Sequence, residues 1–148
     1  MQSLTRSYDN LITILEKEFD LLVGVVELLQ KEKDVITSNN LDNLNNHVRE
    51  KETVFARIRA CEDVRTRELK SLGLSKSKLS EIAETAGPES KERLALIVSK
   101  LKSVSGSITE LNKLNGLLIE KSLFYIRNSR RFLETFGITP KGKVSVEV

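Results

Sequence analysis

Cysteine and histidine, a thiol nucleophile and a neutral-pH base, occur once each in this chain, as Cys61 and His47. A thiol and an imidazole do covalent chemistry only within hydrogen-bond reach of each other. Both fall on one predicted helix, fourteen positions apart, which separates their Cα atoms by about 21 Å. They form no pair within the chain. His47 follows "LNN" in a polar helical turn, where an exposed surface side chain is expected. A lone cysteine makes no intrachain disulfide and suits a reducing compartment. Glu50, Lys51 and Glu52 read as ordinary helix surface charges. No Gly-rich phosphate loop, zinc-ligand spacing or calcium loop is present. No catalytic, cofactor-binding or metal-binding residue is therefore assigned, and the chain is not expected to be an enzyme.

The charges point the same way. Basic residues number 24 and acidic ones 21, and the two alternate along the chain. Nucleic-acid binders concentrate their positive charge on one face. The only basic cluster is Arg127, Arg130 and Arg131, and it lacks interleaved aromatics, so nucleic acid ranks last among the partners. The apolar runs "LLVGVV" and "LALIV" are far too short to span a bilayer, and "MQSLTRSYDN" lacks the apolar run of a signal peptide. No membrane insertion is expected, and a cytoplasmic location is.

Two prolines and seven glycines among 148 residues are too few for many short strands and turns. The expected fold is all-α, an elongated antiparallel bundle of three long helices with a short helix between the second and third. The expected domain covers residues 1–137, with residues 138–148 as a tail that is flexible or a loose strand. In the first helix, about 4–36, Tyr8, Ile12, Leu15, Phe19, Leu22, Val26 and Leu29 alternate steps of three and four, the seam of lengthwise packing. Gly24 lies within it as a tolerated glycine. "TSNNLDN" separates the first two helices, with Ser38 or Asn40 as cap. The second helix runs to about Leu72. Its seam is read as Leu41, Leu44, Val48, Phe55, Ile58, Leu69 and Leu72, interrupted by Lys51, Glu62 and Arg65, so that part of the seam is open to solvent or a partner. Gly73 suits its C-cap. A short helix over about 76–86 follows, and Pro88 suits the first turn of the third long helix. That helix ends at Gly137.

The third long helix changes character along its length. Ile97, Val104, Leu111, Leu118, Tyr125 and Phe132 fill one seam column. Leu101, Ile108, Asn115, Ser122, Ser129 and Phe136 fill the other. The second column turns polar at Asn115. Apolar residues meanwhile appear off the seam, at Leu114, Leu117, Leu123 and Phe124. Such a helix is either buried on two sides, as core plus dimer interface, or offers a surface to a partner. Few segments remain in this chain to cover a second side, so the reading is a partner-binding surface. Its residues are Leu111, Asn112, Leu114, Asn115, Leu117, Leu118, Ile119, Ser122, Leu123, Phe124, Tyr125 and Ile126.

The run "LNKLNGLLIEKSLFYIRNSRRFL" resembles the last helix of the flagellar FlgN-type export chaperones. The matching features are Asn112 and Asn115, the paired aliphatics Leu118 and Ile119, then Ser122–Leu123 and Tyr125–Ile126. "LITILEKEFDLLVGVVELLQKEKDVI", "NNLDNLNNHVREKETVFARI" and "VRTRELKSLG", with Arg67 and Gly73, agree with that family in order and spacing. The resemblance spans most of residues 4–136. It implies an all-α chaperone that uses no cofactor and no ATP. Such chaperones hold hook-associated (hook–filament junction) proteins in the cytoplasm by their C-terminal amphipathic segments. They prevent premature polymerisation and deliver the cargo to the flagellar export gate. A tyrosine at position 125 is implied in docking at that gate. The residues fit a helix-in-groove contact, with Asn112 and Asn115 setting register by hydrogen bonding. The alternative is a self-assembling coiled-coil adaptor or structural subunit, a homodimer whose apolar face is filled by its own copy.

Overall fold

The computed structural model describes the backbone of residues 2–135 and 137, and the side chains of 8–124, 127–131, 133–135 and 137. The expected tail, 138–148, lies outside the described residues. Four helices follow in order: α1 (Gln2–Thr37), α2 (Leu41–Ser71), α3 (Leu79–Thr85) and α4 (Pro88–Thr135). No strand occurs among the described residues.

The helix ends follow from local chemistry. α1 passes through Gly24 without a break and stops at a turn where Asn39 takes a positive φ of 54°. Asn is one of the few non-glycine residues that tolerates that region. Asn40 caps α2, its side-chain oxygen accepting from the backbone N–H of Asp42 (3.0 Å) and of Asn43 (3.2 Å). Beyond Leu72, Gly73 sits at φ +72°. Its N–H donates to the Lys70 carbonyl, and that of Leu74 donates to the Leu69 carbonyl. This double bond pattern is the Schellman ending that a glycine permits. Pro88 opens α4, where its missing N–H costs nothing.

The three long helices run up, down and up, with α1 in the middle. α2 packs antiparallel to α1, as Glu18 meeting Arg65 and Glu32 meeting His47 show. α4 runs antiparallel to α2 and hence parallel to α1. Asp9 pairs with Arg93 near the start of both helices, and Asn115 bonds to Leu29 far along them. α2 and α4 each pack along α1 but not along each other.

Two apolar clusters hold this arrangement. One gathers Leu11, Ile12 and Leu15 of α1, Ile82, Ala83 and Ala86 around α3, and Leu94, Ile97 and Leu101 of α4. The other gathers Val25, Leu29 and Ile58, with Val54, Ile108 and Leu111 against them. A fully buried Leu or Ile contributes about 1.5–3 kcal/mol, so the first cluster carries most of the stabilisation.

The seam of α2 differs from the expected one. Its α1-facing line is His47, Lys51, Val54, Ile58, Cys61, Arg65, Leu69 and Leu72, in steps of three and four. Lys51 and Arg65, expected as interruptions, belong to the contact itself. Leu41, Leu44, Val48 and Phe55, read as seam residues of which part could face solvent, are exposed. The reason lies in α1, where Leu11, Glu18, Val25 and Glu32 repeat every seven residues on the buried face. Two carboxylates on a buried column need cations opposite. α2 turns its basic residues inward to supply them.

Candidate functional site

At the upper end of the bundle, α1, α2 and α4 meet in one polar layer. The Glu32 Oε2 accepts from His47 Nε2 at 2.8 Å and from Lys51 Nζ at 2.7 Å. The other oxygen accepts from Asn115 Nδ2 at 3.2 Å, and the same amide donates to the Leu29 carbonyl at 2.8 Å. Burial pushes the Glu32 carboxyl up, but the hydrogen bonds from Lys51 and His47 outweigh it and hold its pKa below the ordinary 4.5. An ionised carboxylate only accepts, so His47 Nε2 carries the proton. His47, expected on the surface, is only 2% exposed, and its Nδ1 has no hydrogen-bond partner among the described residues. That expectation failed because a polar neighbourhood in sequence says nothing about a carboxylate fifteen residues away that needs a donor.

A second layer lies two heptads lower. Arg65 donates from one nitrogen to both oxygens of Glu18, at 2.6 and 2.7 Å. Here burial wins over the Arg65 charge, and the Glu18 pKa lies above 4.5. Cys61 sits beside this second layer, its thiol directed at the Ile14 carbonyl 3.7 Å away. Burial, and then the Glu18 charge, push that thiol upward. A thiol held protonated is a poor nucleophile. The polar layers match one buried carboxylate to its donors at each level and so hold the helices in register. Among the described residues no cluster of three His, Cys, Asp or Glu side chains could hold a metal ion.

The expected partner surface divides along α4. Asn115 is 4% exposed and spends its amide on α1, so its register role is played within the chain. Leu111, Leu118 and Ser122 are half-buried. Asn112, Leu114, Leu117, Ile119, Leu123 and Phe124 are exposed. Leu114 and Leu117 keep 56% and 54% of their surface, and Ile119 keeps 44%. The side chains of Tyr125 and Ile126 lie outside the described residues.

Register explains the division. Asn115 stands level with Leu29 to Glu32, so Thr37, at the end of α1, falls opposite roughly residues 120–123 of α4. Beyond that level α4 continues to Thr135, a projection of about 20 Å past the α1–α2 turn. The stretch from Leu111 to Phe124 thus runs from packed helix to projecting helix. The projection carries Arg127, Arg130 and Arg131 against Glu134 alone, an excess of two positive charges.

The family model described as "FlgN protein" matches residues 1–135. The chain belongs to the FlgN family. No curated protein and no solved structure matches it. Membership makes the chain a flagellar export chaperone, with a role in flagellum assembly. The all-α bundle agrees with the architecture that the FlgN resemblance implies. Among the described residues, no helix is long and apolar enough to cross a membrane.

Proposed function

We propose that this FlgN-family chain binds the C-terminal amphipathic segments of hook–filament junction proteins along the distal half of α4. It keeps them from polymerising early and delivers them, in the cytoplasm, to the flagellar export gate. The observation that carries this reading is the exposure of Leu114 and Leu117, one turn apart on the same flank of α4. Side chains of that kind, held on a rigid helix, suit an apolar face that is amphipathic and helical. Binding requires no covalent step, and the reading assigns no catalysis to the chain. Residues 1–137 act as one helical unit in it, and Tyr125 serves gate docking rather than cargo capture. Like charges on the projecting end of α4 oppose end-to-end pairing of two copies.

The test compares Leu117→Ser with wild type against C-terminal peptides of junction proteins. An exposed leucine costs little fold stability when replaced, within about 0.5 kcal/mol. Its loss from a desolvated contact costs about 2 kcal/mol of affinity or more. A variant that binds as wild type does would remove this half of α4 from the site.

A further inference from the structure

The flank of α4 that carries Leu114 and Leu117 does not end with them. Steps of three and four lead on through Lys121, Phe124 and Asn128 to Arg131, and Arg127 stands one turn from both Phe124 and Arg131. All of these side chains are exposed. One turn below Leu114 the same flank begins at Glu110, which is exposed as well. The surface is thus apolar along its middle and charged toward both ends.

The two ends differ in net charge. At the lower end Lys113 lies one turn from Glu110 and offsets it, and farther up Glu120 offsets its neighbour Lys121. At the upper end Arg130 is taken by Glu134, at 3.3 Å. Among the described residues no carboxylate pairs with Arg127 or Arg131. Cations also serve a helix's own C-terminal dipole, but that effect fades within the last turn. No basic residue lies in the last turn of α4. Both arginines stand beyond the level of Thr37, where α1 has ended, so packing of the bundle does not call for them either.

We propose that the helix held on this flank lies parallel to α4, with its chain-terminal carboxylate against Arg127 and Arg131. The proposal rests on the chaperone reading and adds the direction of the bound segment and the chemistry that fixes it. A helix that ends its chain carries a full negative charge on the terminal carboxylate and about half a charge more on its unpaired carbonyls. Its N-terminus carries about half a positive charge. Bound antiparallel, it would set that positive end on the arginines and its carboxylate beside Glu110. Bound parallel, the carboxylate meets two unpaired cations. The dipole of α4 itself favours the antiparallel direction, but its partial charge of about one half is outweighed by two whole charges. From Leu114 to Arg131 the flank is about 26 Å long, so the bound helix spans about seventeen residues up to its carboxylate.

The experiment measures peptide affinity with the full chain, as wild type, as Leu117→Ser and as Arg127→Gln/Arg131→Gln, with an unfolding curve for each. C-terminal peptides of junction proteins are used with a free and with an amidated terminus. Amidation should weaken binding to wild type about fivefold at low salt and leave binding to Arg127→Gln/Arg131→Gln unchanged. Raised salt should erode the difference. A further peptide pair, with Asn or Gln for the acidic side chains of the last two turns, separates those carboxylates from the terminal one, and the amidation effect should persist in it. An amidation effect of equal size in wild type and the arginine variant overturns the proposal, as does none in either. An arginine effect that vanishes with the acidic side chains but survives amidation overturns it too. In each of these cases a loss of binding in Leu117→Ser leaves the chaperone reading standing. No binding of any peptide by wild type, or wild-type affinity in Leu117→Ser, overturns that reading and the proposal with it.

Discussion

Replacing Glu32 by Ala removes the acceptor at the centre of the upper polar layer. Its three donors fare differently. Lys51 Nζ reaches water, since that side chain is partly exposed. Asn115 keeps the Leu29 carbonyl. His47 loses the acceptor of its Nε2, and its Nδ1 already has no hydrogen-bond partner among the described residues. An orphaned buried donor costs about 1–3 kcal/mol. The lost methylene adds about 0.8 kcal/mol. Breaking a buried ion pair costs about 3–5 kcal/mol. Because one partner escapes to solvent, the expected loss is about 3 kcal/mol, at the lower end. For a chain of this size that lowers Tm by about 10 °C. Urea unfolding followed by helical circular dichroism reads it directly. The double variant Glu32→Leu/His47→Leu should recover most of the loss, since apolar replacement of both partners leaves no orphan at that pair. A Glu32→Ala protein within about 0.5 kcal/mol of wild type would refute the reasoning, because that is the range of an ordinary surface substitution.

The two buried glutamates should respond to pH in opposite senses. Glu32, held below 4.5, lends stability that is complete above 4.5 and lost as pH falls through its folded pKa; the gap between wild type and Glu32→Gln should shrink on that acid limb. Glu18, pushed above 4.5 by burial, disfavours the fold once ionised; wild type should lose stability relative to Glu18→Gln as pH rises through that higher pKa. Unfolding curves across the carboxylate range check both signs. Leu101→Ala, in the first apolar cluster, should cost about 2–5 kcal/mol in the same assay, whereas Leu114→Ser should stay within about 0.5 kcal/mol. Tyr125→Ala should leave peptide affinity at the wild-type value and reduce export of junction proteins in cells.

The helices and their breaks were legible because each break has a local cause. Asn40 caps, Gly73 takes a positive φ, and Pro88 begins a helix, and each acts through its own backbone. The α2 seam was not legible from hydrophobic periodicity. Its inward face holds His47, Lys51 and Arg65, which count as polar until they are matched with Glu18 and Glu32 on another helix. A signal was present in the spacing: Glu18 and Glu32 share the seven-residue column of Leu11 and Val25, and Lys51 and Arg65 stand two heptads apart on the antiparallel partner. The exposure of Leu114 and Leu117 was legible because both fall off an otherwise regular seam. The exposure of Leu41, Val48 and Phe55 was only partly legible, from the weakly apolar middle of α2, since the inward line is shifted by one position from their stepping. Asn115 was seen as a register residue, yet its partner, Glu32, stands 83 residues away and only the fold brings the two together.

The central claim is that the distal half of α4 holds the C-terminal helix of a hook–filament junction protein. Titration calorimetry of the full chain against such peptides tests it most directly. The account predicts a one-step binding isotherm with a negative heat-capacity change, as burial of apolar surface requires. It also predicts that Leu117→Ser abolishes most of that binding while its unfolding curve stays on the wild-type one. No heat with any junction-protein peptide, or equal affinity in wild type and Leu117→Ser, would contradict it.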